Sequence, residues 1–154
     1  LESAPLDFSS LCRQTVNRFT HLAALKNITL KRDIDEELWL FGDEIILDRM
    51  LANVLDNAIK YTKPDGHIAF SIKTDGDFLI VTCLNTHPPL SAEQLQNLCL
   101  PYYRAEEGRI YGSGLGLYLV KKIVLLHGGS LEVKNDPPGV CVTIKLPRPD
   151  EPQT

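Results

Sequence analysis

Along the first part of the chain the apolar positions fall at helical spacing. Phe8, Leu11, Cys12, Val16, Phe19, Leu22 and Ala23 line one side of a segment that Asp7 can cap and that runs to Lys26-Asn27, which predicts an amphipathic helix. A second stripe, Leu47, Leu51, Val54, Leu55 and Ala58, predicts a long helix that opens after Gly42-Asp43 and is stopped by Lys63-Pro64-Asp65-Gly66. The period then shortens to two. Ile68, Phe70 and Ile72 mark a strand over 67–73, a second strand covers 78–83, and Thr74-Asp75-Gly76-Asp77 forms the hairpin turn between them. Residues 28–31 and 38–41 are short strand candidates, and Ser91 is placed to cap a short helix with Glu93 and Gln94 in its first turn. Residues 101–112 show no periodicity and read as a loop. A last helix ends at Gly128-Gly129, and strands over 131–133 and 140–146 close the chain as a hairpin across Asp136-Pro137-Pro138-Gly139. The pattern divides the chain into a linker over 1–5, one domain over 6–147 and a tail over 148–154. Its order of elements predicts an α/β fold, a two-layer sandwich in which helices cover one face of a mixed β-sheet.

Two segments carry more than core pattern. Opposite the apolar stripe of the long helix, Arg49, Asn53, Asn57 and Lys60 recur at spacings of four, four and three, so they share one face. Taken alone, such a stripe is as readily a solvated helix face. About fifty residues further on, Tyr111-Gly112-Ser113-Gly114-Leu115-Gly116-Leu117 runs into the apolar helix. Glycines at 112, 114 and 116 let a backbone approach an anion unobstructed, and the amides opening the helix are unpaired donors at its positive dipole end. Beside such a turn, two amides bracketed by cations suit a ligand that is both anionic and metal-bearing: Asn offers a neutral oxygen to Mg²⁺ and Lys a compact charge to phosphate. No Gly-Lys-Ser/Thr tripeptide occurs, which excludes a P-loop, and the turn follows an irregular loop, whereas a dinucleotide fingerprint follows a strand.

Composition narrows the picture. The 154 residues, 44% of them apolar and 23% charged, fit one globular domain. With a net charge of −4 and scattered lysines and arginines there is no basic face for nucleic acid. Cys12, Cys83, Cys99 and Cys141 form no metal or redox spacing and read as free, mostly buried thiols. No run of eighteen apolar residues and no signal-peptide pattern occurs, so a soluble fragment is expected, and the Pro-rich end suggests a piece of a longer polypeptide.

The stripe and the turn, in this order and at this distance, resemble the ATP-binding catalytic domain of sensor histidine kinases, whose Bergerat fold is shared with gyrase, Hsp90 and MutL. Asn53-x-x-x-Asn57-Ala58-Ile59-Lys60-Tyr61-Thr62 is similar to the family's N box, and Gly112-Ser113-Gly114-Leu115-Gly116-Leu117 to its G2 box. Tyr102-Tyr103-Arg104, the run Val120-Lys121-Lys122-Ile123 with His127-Gly128-Gly129, and the closing Leu146-Pro147 extend the likeness over nearly the whole chain. The resemblance implies ATP and Mg²⁺ as cofactors. It assigns Asn57 to the metal, Asn53 to phosphate or metal-bound water, Lys60 and Arg104 to phosphate, Tyr61 to the pocket wall and Asn85 to the adenine amino group. It further assigns the amides of residues 112–117 to the triphosphate, Thr143 to adenine through water, and residues 101–111 to a mobile lid. Arg109 is a weaker phosphate candidate, and Lys121 and Lys122 read as the last helix's wet face. In a whole kinase the γ-phosphoryl would pass to a histidine on a separate dimerisation domain and on to a response regulator. The resemblance implies a cytoplasmic domain, with the membrane anchoring of its parent left open.

The chain departs from the family where a G1 box, Asp-x-Gly-x-Gly, is expected. Asn85-Thr86-His87-Pro88-Pro89 stands there instead. The neutral amide costs on the order of 1 kcal/mol against a carboxylate, and prolines in place of glycines reshape the loop. None of His21, His67, His87 and His127 has the surroundings of a phospho-acceptor, so the fragment is expected to be monomeric and unable to phosphorylate itself. Two readings stay open: a working catalytic domain, or a pseudokinase-like signalling domain with weak or no ATP binding that acts through protein contacts.

Overall fold

The computed structural model describes residues 1–101, the backbone of 103–104 and 109–110, and residues 116–149. Strand β1 (Ala4–Asp7) leads into helix α1 (Phe8–Leu25), followed by β2 (Thr29–Ile34), β3 (Trp39–Gly42) and the long helix α2 (Glu44–Tyr61). Then come β4 (His67–Asp75), β5 (Phe78–Thr86), α3 (Ala92–Asn97), the two-residue strands β6 (Tyr103–Arg104) and β7 (Arg109–Ile110), α4 (Gly116–Leu126), β8 (Ser130–Asp136) and β9 (Gly139–Pro147). The main sheet has the order β2-β4-β5-β9-β8. Its β2–β4 pair is parallel and the others antiparallel, so the sheet is mixed.

Helices α1, α2 and α4 pack on one face of this sheet. Strand alternation sends Ile68, Phe70 and Ile72 of β4, Leu79, Val81 and Cys83 of β5, and Val142, Ile144 and Leu146 of β9 to that face. The helices answer with Phe8, Leu11, Cys12 and Val16; with Leu47, Met50, Leu51, Val54 and Leu55; and with Val120, Ile123 and Val124. The expected two-layer α/β sandwich is what the chain forms. Leu22, counted in the apolar stripe of α1, is half exposed at 49% and stands outside the core.

The caps fall where the side chains allow. Asp7 accepts from the Ser10 amide at 3.0 Å, Asp43 from the Ile46 amide at 3.2 Å, and Ser91 and Gln94 form a reciprocal capping box at the start of α3. Asp43 also accepts from the Glu2 amide at 3.0 Å, and the donations of Glu2 and Ile46 hold its carboxyl below the usual range.

Several boundaries differ from the periodicity. Ala4 and Pro5, assigned to a linker, pair in register with Gly42 and Phe41, because their backbone groups find the otherwise unpartnered edge of β3. Strands β6 and β7 pair within the stretch read as a loop. Strand β4 outruns its apolar alternation because the pairing of Thr74 with Leu79 and of Asp75 with Phe78 carries the ladder up to the turn at Gly76, and β5 runs on to Thr86 because Leu84, Asn85 and Thr86 pair with Cys141, Val140 and Gly139 of β9. The four cysteines are free; Cys12, Cys83 and Cys141 are buried, and burial pushes the Cys83 thiol up to about 12. No described helix is long and apolar enough to cross a membrane.

Candidate active site

The asparagine stripe and the helix after the glycine turn meet. Helix α2 buries Leu47, Leu51, Val54, Leu55 and Ala58, which leaves Asn53 and Asn57 half-buried on its other side and Lys60 exposed. At the first residue of α4, a Cβ added to Gly116 would stand 3.8 Å from the Asn57 carboxamide oxygen. The second motif therefore delivers the opening of its helix beside the second amide of the first. A helix start offers amide donors and positive dipole, and the amide opposite offers an oxygen suited to a hard cation. No group of three or more His, Cys, Asp or Glu capable of holding a metal occurs among the described residues, so a cation here would rest on amide oxygens and on the ligand's own phosphates.

Lys60 lies at the carboxyl end of α2. Its ammonium pairs with Asp56 one turn back, Nζ to Oδ2 at 3.0 Å, with both side chains about half exposed. The sequence pattern passed over Asp56, which puts a carboxylate beside the two amides. Lys26 was missed as well: its ammonium donates to the carbonyls of Ile59 at 2.8 Å and Lys60 at 3.1 Å. A cation on the last carbonyls of a helix satisfies orphan acceptors and the dipole together, and here it fixes the turn that presents Lys60 and Tyr61.

Below that turn Tyr61, Pro64, His87, Pro88, Pro89 and Pro138 wall an open cavity of about 440 Å³. The segment at 87–90, where the G1 glycines are missing, is tethered. Its His87 amide donates to the Pro138 carbonyl at 3.3 Å, and Asn135 accepts from the Leu90 amide at 2.9 Å while donating to the Leu90 carbonyl at 2.8 Å. The prolines are accommodated by leaning this segment on the turn between β8 and β9. Asn135 could have been suspected only from that turn's polar run.

Asn85 stands on the central strand, opposite Ile68 and Val140, with its side chain on the helix-facing side and 8% exposed. Thr143 does not join it. Val142 and Ile144 point into the core, so Thr143 points to the uncovered face of the sheet, paired across with Thr82 and Glu132. Its expected water-mediated contact with adenine would have to be made from that face. Leu117 is buried in the core and can offer the site only its backbone. Gly112, Ser113, Gly114 and Leu115, the side chain of Arg104, and most of the expected lid lie outside the described residues. Lys121 and Lys122 are exposed as expected, with Lys122 over the Tyr118 ring at 5.0 Å from its centre.

Just past the end of α4, His127 joins this helix to the start of α2. Its Nε2 accepts from the Asp43 amide at 3.3 Å, and its Nδ1 donates to the Ile123 carbonyl at 2.9 Å. The two helices that carry the motifs are thereby tied at the end of α4 far from Gly116.

The profile of the family described as histidine kinase-, DNA gyrase B- and HSP90-like ATPases matches residues 42–150. The sensor histidine kinase CssS of Bacillus subtilis is 31% identical over 125 residues, 81% of this chain and 27% of that protein. The signal transduction histidine-protein kinase/phosphatase MprB of Mycolicibacterium paratuberculosis is 32% identical over 151 residues, 93% of this chain and 28% of that protein. Among solved structures, a nucleotide-free catalytic domain of the histidine kinase ThkA superposes with a TM-score of 0.86 at 25% identity, covering 96% of this chain and 97% of that one. The chain spans under a third of the length of these two curated relatives. It belongs to the histidine kinase-, gyrase B- and HSP90-like ATPase family, as the ATP-binding catalytic domain of a sensor histidine kinase.

Proposed function

We propose that this chain binds Mg-ATP where α2 meets the opening of α4 and that, in the intact protein, it presents the γ-phosphoryl to a histidine on a separate dimerisation domain, for relay to a response regulator. The observation that carries the reading is the approach of Asn57 to Gly116, which joins the two motifs at a place where a glycine leaves the helix opening uncovered. The donor set fits the group: a carboxamide oxygen for a hard cation and helix-opening amides for an anion. When bound, Mg²⁺ neutralises charge on the phosphate oxygens, which is what phosphoryl transfer chiefly requires.

The chain's own residues supply position. Asn57 would hold the cation and Asn53, one turn earlier, a phosphate oxygen or a water on the metal. Lys60 would turn from Asp56 to a phosphate, a small cost because a half-exposed pair is worth about 0–1 kcal/mol. The amides of residues 112–117 would cradle the phosphates, with Arg104 steadying the outermost, and Tyr61 would wall the base. Charge-lined and partly screened from water, such a site acts by orientation and electrostatics.

A second reading, a signalling domain that binds nucleotide weakly and works by protein contact, is favoured by one observation: His87, Pro88 and Pro89 occupy the G1 position and wall the cavity beside Tyr61. Calorimetric titration with ATP and ADP, with and without Mg²⁺, decides between the two. Saturable, metal-dependent binding that Asn57→Ala abolishes in a folded protein supports the first. No binding at millimolar nucleotide supports the second. Phosphorylation of a histidine-bearing dimerisation domain supplied in trans then tests the transfer itself.

A further inference from the structure

Five polar side chains are buried among the described residues. Four have partners. Ser9 donates to the Asp35 carbonyl at 2.6 Å, Thr15 to the Leu11 carbonyl at 2.9 Å, Thr62 to the Ala58 carbonyl at 2.7 Å, and Asp43 accepts from two amides. Asn85 is the exception: its carboxamide meets no donor or acceptor among the described residues, although it is 8% exposed. A buried amide without partners is a standing cost to the fold. Its retention points to a ligand that completes it.

Its location says where such a ligand would lie. Asn85 shares strand parity with Leu79, Val81 and Cys83, so it faces the helix layer, and it is the last such residue before β5 gives way to the segment that walls the cavity at Tyr61 and His87.

The chemistry of the group says which edge it can read. A carboxamide sets one acceptor and two donor hydrogens side by side. Toward a 6-aminopurine, Oδ1 accepts from the exocyclic N6–H while Nδ2 donates to ring N1. Toward a 6-oxopurine, a half-turn of the amide lets Nδ2 donate to O6 and Oδ1 accept from N1–H. That torsion is broad and roughly two-fold, so both orientations are open. The carboxylate that the family's G1 box places here only accepts, and it sets negative charge against O6.

Resting on the proposed nucleotide site, we propose that Asn85 reads the purine edge without fixing its polarity, so that this domain takes 6-oxopurine nucleoside triphosphates as well as ATP. Magnesium-supported calorimetric titration of the chain with ATP and with inosine triphosphate tests it, because hypoxanthine differs from adenine at this edge alone. Dissociation constants within about tenfold of each other are expected. Asn85→Asp should restore a preference for ATP of at least ~30-fold, mostly through loss of the inosine nucleotide. Tight ATP binding with inosine triphosphate weaker by about 100-fold or more in the unaltered chain overturns the inference while leaving the nucleotide site intact. Binding of neither nucleotide removes the site and the inference together. The two-ligand comparison needs no variant, so misfolding of the Asp substitution does not obscure the result.

Discussion

Replacing Gly139 by alanine puts the close approach of the two central strands to a direct test. The added Cβ would stand 2.0 Å from the Asn85 carbonyl oxygen, 2.7 Å from its carbonyl carbon and 3.0 Å from the Thr86 Cα. All three are backbone atoms, so no rotamer change relieves the clash. A carbon and a carbonyl oxygen settle at about 3.3 Å or beyond, so β9 must withdraw from β5 by roughly 1 Å or more at this end. The pairs Asn85 with Val140 and Thr86 with Gly139 would open. Two ladder hydrogen bonds at about 1 kcal/mol each, with about 1–3 kcal/mol for crowding a packed site, make the expected loss about 3–5 kcal/mol. At a mid-range urea slope of about 2 kcal/mol per molar, the unfolding midpoint should fall by roughly 1.5–2.5 M. Gly76→Ala is the control. Nothing lies within 4 Å of its added Cβ and only its φ of +58° is strained, so the loss there should be about 1 kcal/mol. The Gly139 variant should also lose nucleotide affinity, because the added methyl presses on the backbone of Asn85 itself. A midpoint for Gly139→Ala within about 0.3 M of the parent would refute the argument that this glycine is held by the backbone facing it.

Asp56→Asn should raise ATP affinity several-fold by freeing Lys60 for phosphate, more so at low salt, while stability stays within about 0.5 kcal/mol because the pair is half exposed; isothermal titration at two ionic strengths checks it, and unchanged affinity would count against the role of Lys60. Thr143→Val should leave nucleotide binding unaltered, as the residue lies on the uncovered face of the sheet, and a marked loss in the same titration would return it to the site. The depressed carboxyl of Asp43 lends stability that is complete above its unfolded value near 3.9 and is lost as pH falls through the lower folded value. Asp43→Asn should therefore flatten the acid side of the stability curve, measured by urea melts between pH 2 and 6.

The two motif-bearing helices were legible because a helix writes its buried face into the sequence at a fixed spacing, and Leu47 to Ala58 kept that spacing without a break. The four longest strands, β4, β5, β8 and β9, were legible for the same reason at period two. What alternation could not supply was register. The face that Thr143 takes is fixed by its neighbours, here by Val142 and Ile144 turning inward. Strand β1 was hidden by its length and by Pro5, since a short edge strand has no periodicity to display. The cation beneath Lys60 was illegible for a different reason: Lys26 reaches carbonyls 33 and 34 residues away, a contact that no local pattern encodes. The tether from Asn135 to Leu90, 45 residues apart, is of the same kind. In the site, the residue types were readable from spacing, as was the placing of Asp56 one helical turn before Lys60, whereas the isolation of Asn85 required three dimensions.

The unequal burial of the cysteines gives the domain a native labelling scheme. Cys12 and Cys83 are sealed in the core with their thiols held protonated by that burial, and Cys141 is buried too. Cys99 is only half-buried; burial raises its thiol and the Lys121 ammonium partly offsets that. A maleimide at neutral pH will reach Cys99 first, without any engineered substitution. The attached dye would sit just past α3, near Lys121 of α4, where its fluorescence would register rearrangement around the α4 opening as nucleotide is added.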